Sequence, residues 1–190
     1  MSRTVPALLL TVALLFGASV ARAQQPQQVR VTTSAGGFVI ELDAQRAPLT
    51  VANFLRYVDE GFYSGTLFHR VIANFVIQGG GLNPDYTARK AHEPIPNEAG
   101  NGLLNVRGSV GLARTAGPHT GDAQFYINVA DNADLNPLPS RWGYAIFGRV
   151  VEGMDVVDAI SLSATGAQGP LRGDAPLKPV VIEKVERVNR

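Results

Sequence analysis

Short segments in which apolar and polar residues alternate recur along the chain from residue 29 onward. A period of two is typical of β-strands, whose successive side chains point to opposite faces of a sheet. Residues that favour turns, mainly Gly, Pro, Asn, Asp and Ser, separate these segments. The pattern predicts eight strands, at residues 29–33, 38–42, 67–72, 75–79, 108–114, 124–129, 144–150 and 179–188.

Two segments have helical periodicity instead, with apolar residues three or four positions apart. The first predicted helix begins at Pro48, since proline suits a first turn, and it ends near Gly61. The second covers residues 152–161 and carries acidic residues in its first turn, where the helix dipole favours them. The apolar faces consist of Val51, Phe54, Leu55 and Val58 in the first helix and Met154, Val157 and Ile160 in the second.

The stretches between these elements are rich in Gly, Pro and polar residues, and residues 81–107, 131–141 and 163–178 are predicted to be irregular. Many short strands, two isolated amphipathic helices and no internal repeat indicate a mainly β fold. A closed antiparallel barrel plugged at its ends by the helices accounts for this pattern, although the pattern alone leaves a β-sandwich open.

The first 23 residues differ from the rest of the chain. Arg3 gives a positive start, residues 5–16 are almost wholly apolar, and small residues stand at Ala21 and Ala23. This pattern predicts a signal peptide at residues 1–23, cleaved before Gln24, because the apolar run is too short to span a membrane. An uncleaved anchor is the alternative. Residues 24–28 are predicted to be a disordered lead-in to a folded domain at residues 29–190.

Composition limits the chemistry that the domain can perform. The chain has 190 residues, which suits one domain with a sizeable core, and it has no cysteine, which excludes disulfides, thiolate catalysis and cysteine metal sites. The net charge is +1, and loss of the signal peptide with its two arginines and no acid would make it −1. Neither a nucleic acid nor a membrane surface is therefore an expected partner.

The segment at residues 68–80 reads Phe-His-Arg-Val-Ile-Ala-Asn-Phe-Val-Ile-Gln-Gly-Gly. Period-two alternation places Phe68, Arg70 and Ile72 on one face of a strand. An arginine among core-type residues is costly unless it is paired or lines a wet groove. From the pattern alone, a core strand whose arginine reaches solvent or meets a carboxylate remains an equal alternative to a functional arginine.

This segment resembles the signature of the cyclophilin family of peptidyl-prolyl cis-trans isomerases, Phe-His-Arg-Val-Ile-x-x-Phe-x-x-Gln-Gly-Gly. Residues 108–113 and 124–127 are similar to a second family signature, and residues 147–150 to its closing Phe-Gly-x-Val element. The resemblance spans residues 29–188. It implies a closed eight-stranded antiparallel barrel capped by two α-helices, and an isomerase that uses neither a metal nor a cofactor.

The resemblance also implies a site. Arg70 would support the lone pair of the prolyl nitrogen, an apolar pocket would grip the proline ring, and Phe147 would be mostly core. The backbone at Ala113 and Arg114 would pair with the substrate peptide, and Gln78 would hold the substrate backbone or orient Arg70. The implied catalytic residues are Arg70, Phe75 and Gln78, and the implied substrate-binding residues are Val76, Ala113, Arg114, Gln124, Tyr126, Leu135 and Tyr144.

Three positions depart from the family pattern. Asp134 stands where an aromatic residue is common, Tyr144 where many members have His, and Ala73 where Pro is common. Catalysis is expected to survive because Arg70, Phe75 and Gln78 are retained. Tight binding of the inhibitor cyclosporin is placed in doubt by Asp134, although the nearby Trp142 could fill part of the gap.

The expected partners are proline-containing peptides and unfolded or folding exported proteins, with the chain acting as a monomer. Similarity to bacterial exported members implies a periplasmic location, with secretion as the alternative. A proline-peptide binding module or chaperone with incidental turnover is the alternative function. A hydrolase using His69, His92 or His119 is disfavoured, because no serine sits in a nucleophile elbow and there is no cysteine to attack a substrate. His69 is expected to be structural.

Overall fold

The computed structural model describes residues 27–188. Ten strands and two α-helices follow one another along this part of the chain. In chain order they are β1 Gln27–Thr33, β2 Gly36–Leu42, α1 Pro48–Asp59, β3 Thr66–Ile72, β4 Val76–Gly79, β5 Ser109–Leu112, β6 Phe125–Asn128, β7 Ile146–Glu152, α2 Met154–Ser161, β8 Thr165–Gln168, β9 Leu171–Pro176 and β10 Val180–Arg187.

Eight of the strands close into an antiparallel barrel, which confirms the predicted fold and excludes the sandwich. The strand order around the barrel is β1-β10-β3-β4-β6-β5-β7-β2. Closure leaves no free sheet edge among these eight strands. The predicted signal peptide, its cleavage position and residues 24–26 lie outside the described residues.

The barrel begins two residues before the predicted domain boundary. Gln27 pairs with Leu42 and Gln28 with Glu41, so both residues belong to β1 rather than to the lead-in. The β1–β2 hairpin includes Gln27 and Gln28 because β2 is long enough to supply each of them with a paired residue at its C-terminal end.

The inward-facing residues of the barrel form a core that α1 completes. Phe54 of α1 is 1% exposed, and its ring lies 5.5 Å from that of Phe125 and 5.1 Å from that of Phe147. Val51, Leu55 and Val58 are buried beside it, as the helical periodicity predicts. The helix therefore closes the interior with the apolar face that the sequence indicates.

The second helix begins later than predicted. Glu152 belongs to β7, where it pairs with Val39, and α2 begins at Met154. Gly153 separates the two elements with φ = 76°, a left-handed conformation that glycine adopts without steric cost. Val157 and Ile160 of α2 are fully buried in the core.

The predicted loop at residues 163–178 is wrong, since it contains the β8–β9 hairpin. Thr165 pairs with Pro176 and Gln168 with Leu171, and β9 packs beside β3 of the barrel. Glycine and proline disguise this hairpin in the sequence, because both residues are depleted in strands. The hairpin is a separate two-stranded sheet that lies outside the eight barrel strands and next to β3.

Long-range hydrogen bonds fix the irregular segment at residues 81–107. Arg89 donates to the carbonyl oxygens of Phe62 and Ser64. Glu98 accepts hydrogen bonds from the backbone N–H groups of Leu49 and Thr50 and so caps the first turn of α1. No helix within residues 27–188 has the length and apolar character needed to cross a bilayer.

Candidate active site

A row of outward-facing residues crosses four neighbouring strands of the barrel. Arg70 of β3 pairs with Gln78 of β4, Gln78 pairs with Tyr126 of β6, and Tyr126 pairs with Gly111 of β5. Directly paired residues share a face of the sheet. The barrel therefore brings Arg70, Gln78 and Tyr126 side by side on its outer surface.

A β-bulge at His69 sets the direction of Arg70. Phe68 pairs with Gly79 and Arg70 with Gln78, which leaves His69 as the extra residue between them. Phe68 and Val71 are part of the barrel core. The predicted common face of Phe68, Arg70 and Ile72 is therefore wrong, because the bulge interrupts the period-two alternation and turns Arg70 outward.

The guanidinium group of Arg70 lies over an aromatic ring and beside an acid. Its guanidinium carbon is 5.9 Å from the centroid of the half-buried Phe75 ring. Its Nε is 3.8 Å from Oδ2 of Asp174, which belongs to β9. The Arg70 side chain remains 40% exposed, so a bound molecule can reach it.

An apolar cluster on the outer surface adjoins Arg70. The structure brings together six of the residues that the sequence assigned to the site, and it adds Ile146 and Leu103, which sequence reasoning missed. Ile146 lies two positions after Tyr144 in a predicted strand, so the sequence could have placed both side chains on one face. Leu103 lies in a loop without periodicity. The eight residues are Phe75, Val76, Leu103, Ala113, Tyr126, Leu135, Tyr144 and Ile146.

The aromatic residues of this pocket are held in fixed orientations. The rings of Tyr126 and Tyr144 meet edge to face at 5.9 Å. The Tyr126 hydroxyl donates a 2.6 Å hydrogen bond to Oδ1 of Asn105, a residue that sequence reasoning did not single out. Burial raises the pKa of Tyr126 well above its usual range, so the hydroxyl is a neutral donor. Leu135 enters the pocket from a 3₁₀ turn at Ala133–Leu135.

Gln78 and Gln124 form a pair next to the pocket. Nε2 of Gln78 donates a 3.1 Å hydrogen bond to Oε1 of Gln124. Gly81 leaves room for this arrangement, because a Cβ at residue 81 would collide with the Gln124 side chain. Gln78 is thus oriented by Gln124, and its pairing with Arg70 places both residues on one face of the sheet.

The side chain of Arg114 makes contacts in the pocket wall, in addition to the backbone role that the resemblance implies. It donates to the carbonyl oxygens of Gly143, at 3.2 Å, and Trp142, at 2.8 Å. Its guanidinium carbon lies 4.3 Å from the centroid of the Tyr144 ring, a cation–π contact. Ala113 uses its N–H to donate to the carbonyl oxygen of Gln124. Arg114 therefore fixes the wall of the pocket that carries Tyr144.

Two of the three positions that depart from the family pattern, Ala73 and Asp134, are exposed, whereas Tyr144 is half-buried in the pocket. Asp134 and Trp142 are exposed, the latter by 51%, and the Trp142 ring packs edge to face on His119 at 5.0 Å. Phe147 is fully buried in the barrel, so it is a core residue as predicted.

The three histidines contact three different groups of residues. His69 is buried on β3, and burial lowers its pKa. His92 contacts Glu60 at 2.7 Å, and His119 accepts a hydrogen bond from the backbone N–H of Asn97. Residues 27–188 contain no cluster of three or more His, Asp or Glu side chains suited to a metal ion.

Comparison with known proteins agrees with this arrangement. The model of the family "Cyclophilin type peptidyl-prolyl cis-trans isomerase/CLD" matches residues 28–187. The chain is 44% identical over 191 residues to peptidyl-prolyl cis-trans isomerase A of Dickeya dadantii, covering 100% of both chains. It is 51% identical over 156 residues to peptidyl-prolyl cis-trans isomerase B of Escherichia coli, covering 80% of this chain and 94% of that one.

A solved structure shares the fold. The crystal structure of a Cryptosporidium parvum cyclophilin type peptidyl-prolyl cis-trans isomerase, determined in the presence of the dipeptide Ala-Pro, superposes with a TM-score of 0.74. It is 25% identical in sequence, and the match covers 86% of this chain and 100% of that one. The barrel, the row of outward-facing residues and these matches together show that the chain belongs to the cyclophilin-type peptidyl-prolyl cis-trans isomerase family.

Proposed function

We propose that this isomerase accelerates rotation about X-Pro bonds by holding the proline ring in the apolar pocket and placing Arg70 at the prolyl nitrogen. Rotation about the bond is slow because the nitrogen lone pair is delocalised into the carbonyl, with a barrier of about 18–20 kcal/mol. A catalyst must therefore bind the twisted amide more tightly than the planar one.

The position of Arg70 beside the pocket carries this proposal. With 5.9 Å between the guanidinium carbon and the Phe75 ring centroid, a proline ring on Phe75 would have its nitrogen within reach of the guanidinium N–H groups. The lone pair becomes localised on that nitrogen as the amide twists, so an N–H donor stabilises the transition state more than the ground state. Arginine is suited to this role because it is always charged and has five N–H donors.

Arg70 supplies only part of the acceleration. One charge-assisted hydrogen bond contributes about 1.5–3 kcal/mol, which corresponds to roughly ten- to a hundredfold in rate. The remainder comes from positioning, as Phe75, Tyr126 and Leu135 fix one side of the bond while the other side turns. Removal of water from the apolar pocket strengthens the interaction with Arg70.

The direct test compares wild type with Arg70→Ala in a protease-coupled or NMR exchange assay on an Ala-Pro peptide. We expect the variant to lose about ten- to a hundredfold in kcat/KM while retaining measurable peptide binding. Arg30→Ala is the matched control, since Arg30 lies on β1 and pairs with Glu152 outside the site. A folded wild type that binds the peptide without accelerating exchange would instead support the binding-module alternative.

We further propose that the substrates are exported proteins that fold in the periplasm. The support is the signal-peptide pattern at residues 1–23 and the absence of cysteine, which makes the domain independent of oxidising conditions. Cell fractionation followed by N-terminal sequencing tests this proposal. A periplasmic protein that begins at Gln24 is expected, and recovery in the culture medium would favour secretion.

A further inference from the structure

Four asparagines form a continuous hydrogen-bonded group directly beneath the pocket. Asn136 accepts from Nδ2 of Asn105 at 3.0 Å, Asn105 accepts from Nδ2 of Asn128 at 3.2 Å, and Asn128 accepts from Nδ2 of Asn132 at 2.6 Å. Asn105 and Asn128 are 1% and 0% exposed. A buried polar side chain without a hydrogen bond destabilises the fold. Because every asparagine of this group is hydrogen-bonded to another, the group favours one arrangement of its side chains.

The asparagine group reaches three walls of the pocket. Asn105 accepts the hydrogen bond of the Tyr126 hydroxyl, at 2.6 Å. Asn132 donates to the carbonyl oxygen of Phe75 at 2.9 Å. Asn136 directly follows the 3₁₀ turn that carries Leu135 into the pocket. The three residues proposed to grip the proline ring are therefore joined to each other through polar contacts behind them.

Gly111 provides the space that the end of the Tyr126 ring and its hydroxyl occupy. It pairs with Tyr126 across β5 and β6, and a Cβ at this position would collide with the end of the tyrosine ring and with its hydroxyl. The glycine thus makes room for the end of the ring, and Asn105 supplies the acceptor for its hydroxyl.

We propose that Asn105 is a positioning residue of the proline pocket, which fixes the Tyr126 ring through its hydroxyl and couples it to Phe75 and Leu135. This inference rests on the proposed function, because it assigns a role within the same pocket. Asn105 acts from behind the ring, with 1% of its surface exposed, so it does not touch the substrate. Its effect is on the shape of the surface against which the proline ring packs.

A fixed pocket holds the proline ring in both the planar and the twisted amide, and it keeps the prolyl nitrogen near Arg70 while the bond turns. Loosening the Tyr126 ring is therefore expected to raise KM, because the grip on the ring weakens, and to lower kcat, because the nitrogen is positioned less well. A purely structural role would lower the stability of the fold without changing KM in the protein that remains folded. The change in KM thus distinguishes the two roles.

The first variant is Tyr126→Phe, which removes the hydroxyl and leaves the ring. One net hydrogen bond corresponds to about a two- to tenfold change in an equilibrium constant. We expect KM, and the Kd of the dipeptide Ala-Pro measured by NMR titration, to rise by about this factor. The matched control is Tyr63→Phe, which removes another buried hydroxyl, hydrogen-bonded to the carbonyl oxygen of Ala123, from the barrel core. The control is expected to lose stability with KM unchanged.

The second variant is Asn105→Ala, alone and combined with Tyr126→Phe. If Asn105 acts through the hydroxyl, the double variant has a KM no higher than that of the worse single variant. In wild type, the buried and hydrogen-bonded Tyr126 hydroxyl proton should exchange slowly enough to give an NMR resonance, and Asn105→Ala should abolish that resonance.

The proposal is overturned if Tyr126→Phe leaves both KM and the Ala-Pro Kd unchanged. It is also overturned if Asn105→Ala raises KM by the same factor whether or not the hydroxyl is present. Should Asn105→Ala fail to fold, Tyr126→Phe decides alone. A wild type that binds Ala-Pro but does not catalyse exchange would contradict the proposed function, while the dipeptide titrations would still test the role of Asn105.

Discussion

Arg70 Nε and Asp174 Oδ2 lie 3.8 Å apart, which joins the barrel to the hairpin outside it. This distance is that of an ion pair without a hydrogen bond. Both side chains are partly exposed, at 40% and 52%, so water and salt screen their attraction. Asp174 adopts φ = 60° on β9, an uncommon conformation for a residue other than glycine. The hairpin thus places a negative charge beside the proposed catalytic cation.

We predict that Asp174→Asn raises kcat/KM by up to about fivefold at low salt. The carboxylate competes with the substrate for the guanidinium, and an exposed ion pair of this kind contributes about 0–1 kcal/mol. The gain should disappear at about 1 M salt, where the screening length is only about 3 Å. Steady-state exchange rates at both salt concentrations measure the effect.

Asp59→Asn is the control for this prediction, because it removes an exposed carboxylate that pairs with Arg187 outside the site. It should leave kcat/KM unchanged. A fall in kcat/KM for Asp174→Asn would show that Asp174 orients Arg70 instead of competing for it.

Sequence reasoning identified the residues of the site better than it identified the faces of the sheet to which their side chains point. The signature at residues 68–80 named Arg70, Phe75 and Gln78, and the structure brings them together. Alternation nevertheless placed Arg70 on the same face as Phe68. A β-bulge adds one residue that is not visible in an apolar–polar pattern, and that residue reverses the direction of every side chain after it.

Two residues that sequence reasoning missed, Asn105 and Asp174, are polar and have distant partners. Asn105 lies in an irregular segment and meets Tyr126, 21 positions away in the sequence. Asp174 lies in a hairpin whose glycines and prolines resemble a loop. Periodicity reports the exposure of a residue along its own element, and it carries no information about which distant side chain a polar group will contact.

We predict that Gly81→Ala lowers kcat/KM by up to about tenfold. A Cβ at this position would collide with Gln124, which must move and lose its hydrogen bond to Gln78. A net hydrogen bond of about 0.5–1.5 kcal/mol sets the size of the effect. Isomerase assays on an Ala-Pro peptide provide the measurement.

The control for this glycine is Gly37→Ala, since a Cβ at residue 37 would make only an ordinary contact with the carbonyl oxygen of Val31. Equal losses of kcat/KM in both variants would show that general destabilisation of the fold causes the effect. Unchanged activity in Gly81→Ala would show that the position of Gln124 is unimportant for turnover.

We predict that the free energy of unfolding decreases as the pH falls below about 6.5, the ordinary histidine value, because of His69. Burial lowers the pKa of His69 in the folded state, and its Nδ1 has no hydrogen-bond partner within the described residues. Between the folded and unfolded pKa values, the unfolded chain binds the proton more readily. The contribution of His69 to the free energy of unfolding is therefore fully present above the pKa of the unfolded state. It is lost as the pH falls through the pKa of the folded state.

Urea unfolding at pH 7.5 and at lower pH measures this dependence, with His69→Gln as the test variant. The variant should show a smaller change in unfolding free energy over the same pH range. His92→Gln is the control, because His92 is partly exposed and contacts Glu60. A pH dependence that is the same in wild type and His69→Gln would contradict the assignment.

We predict that Phe54→Ala destabilises the fold by about 3–5 kcal/mol and leaves KM unchanged in the protein that remains folded. Phe54 is 1% exposed and contacts the rings of Tyr63, Phe125 and Phe147, so its loss opens a cavity between α1 and the barrel. Urea unfolding gives the change in stability, and Leu162→Ala, at a residue that is 77% exposed, should change it by less than about 0.5 kcal/mol. The pocket lies on the outer surface of the barrel, so a large rise in KM for Phe54→Ala would show that the core and the pocket are coupled through the strands between them.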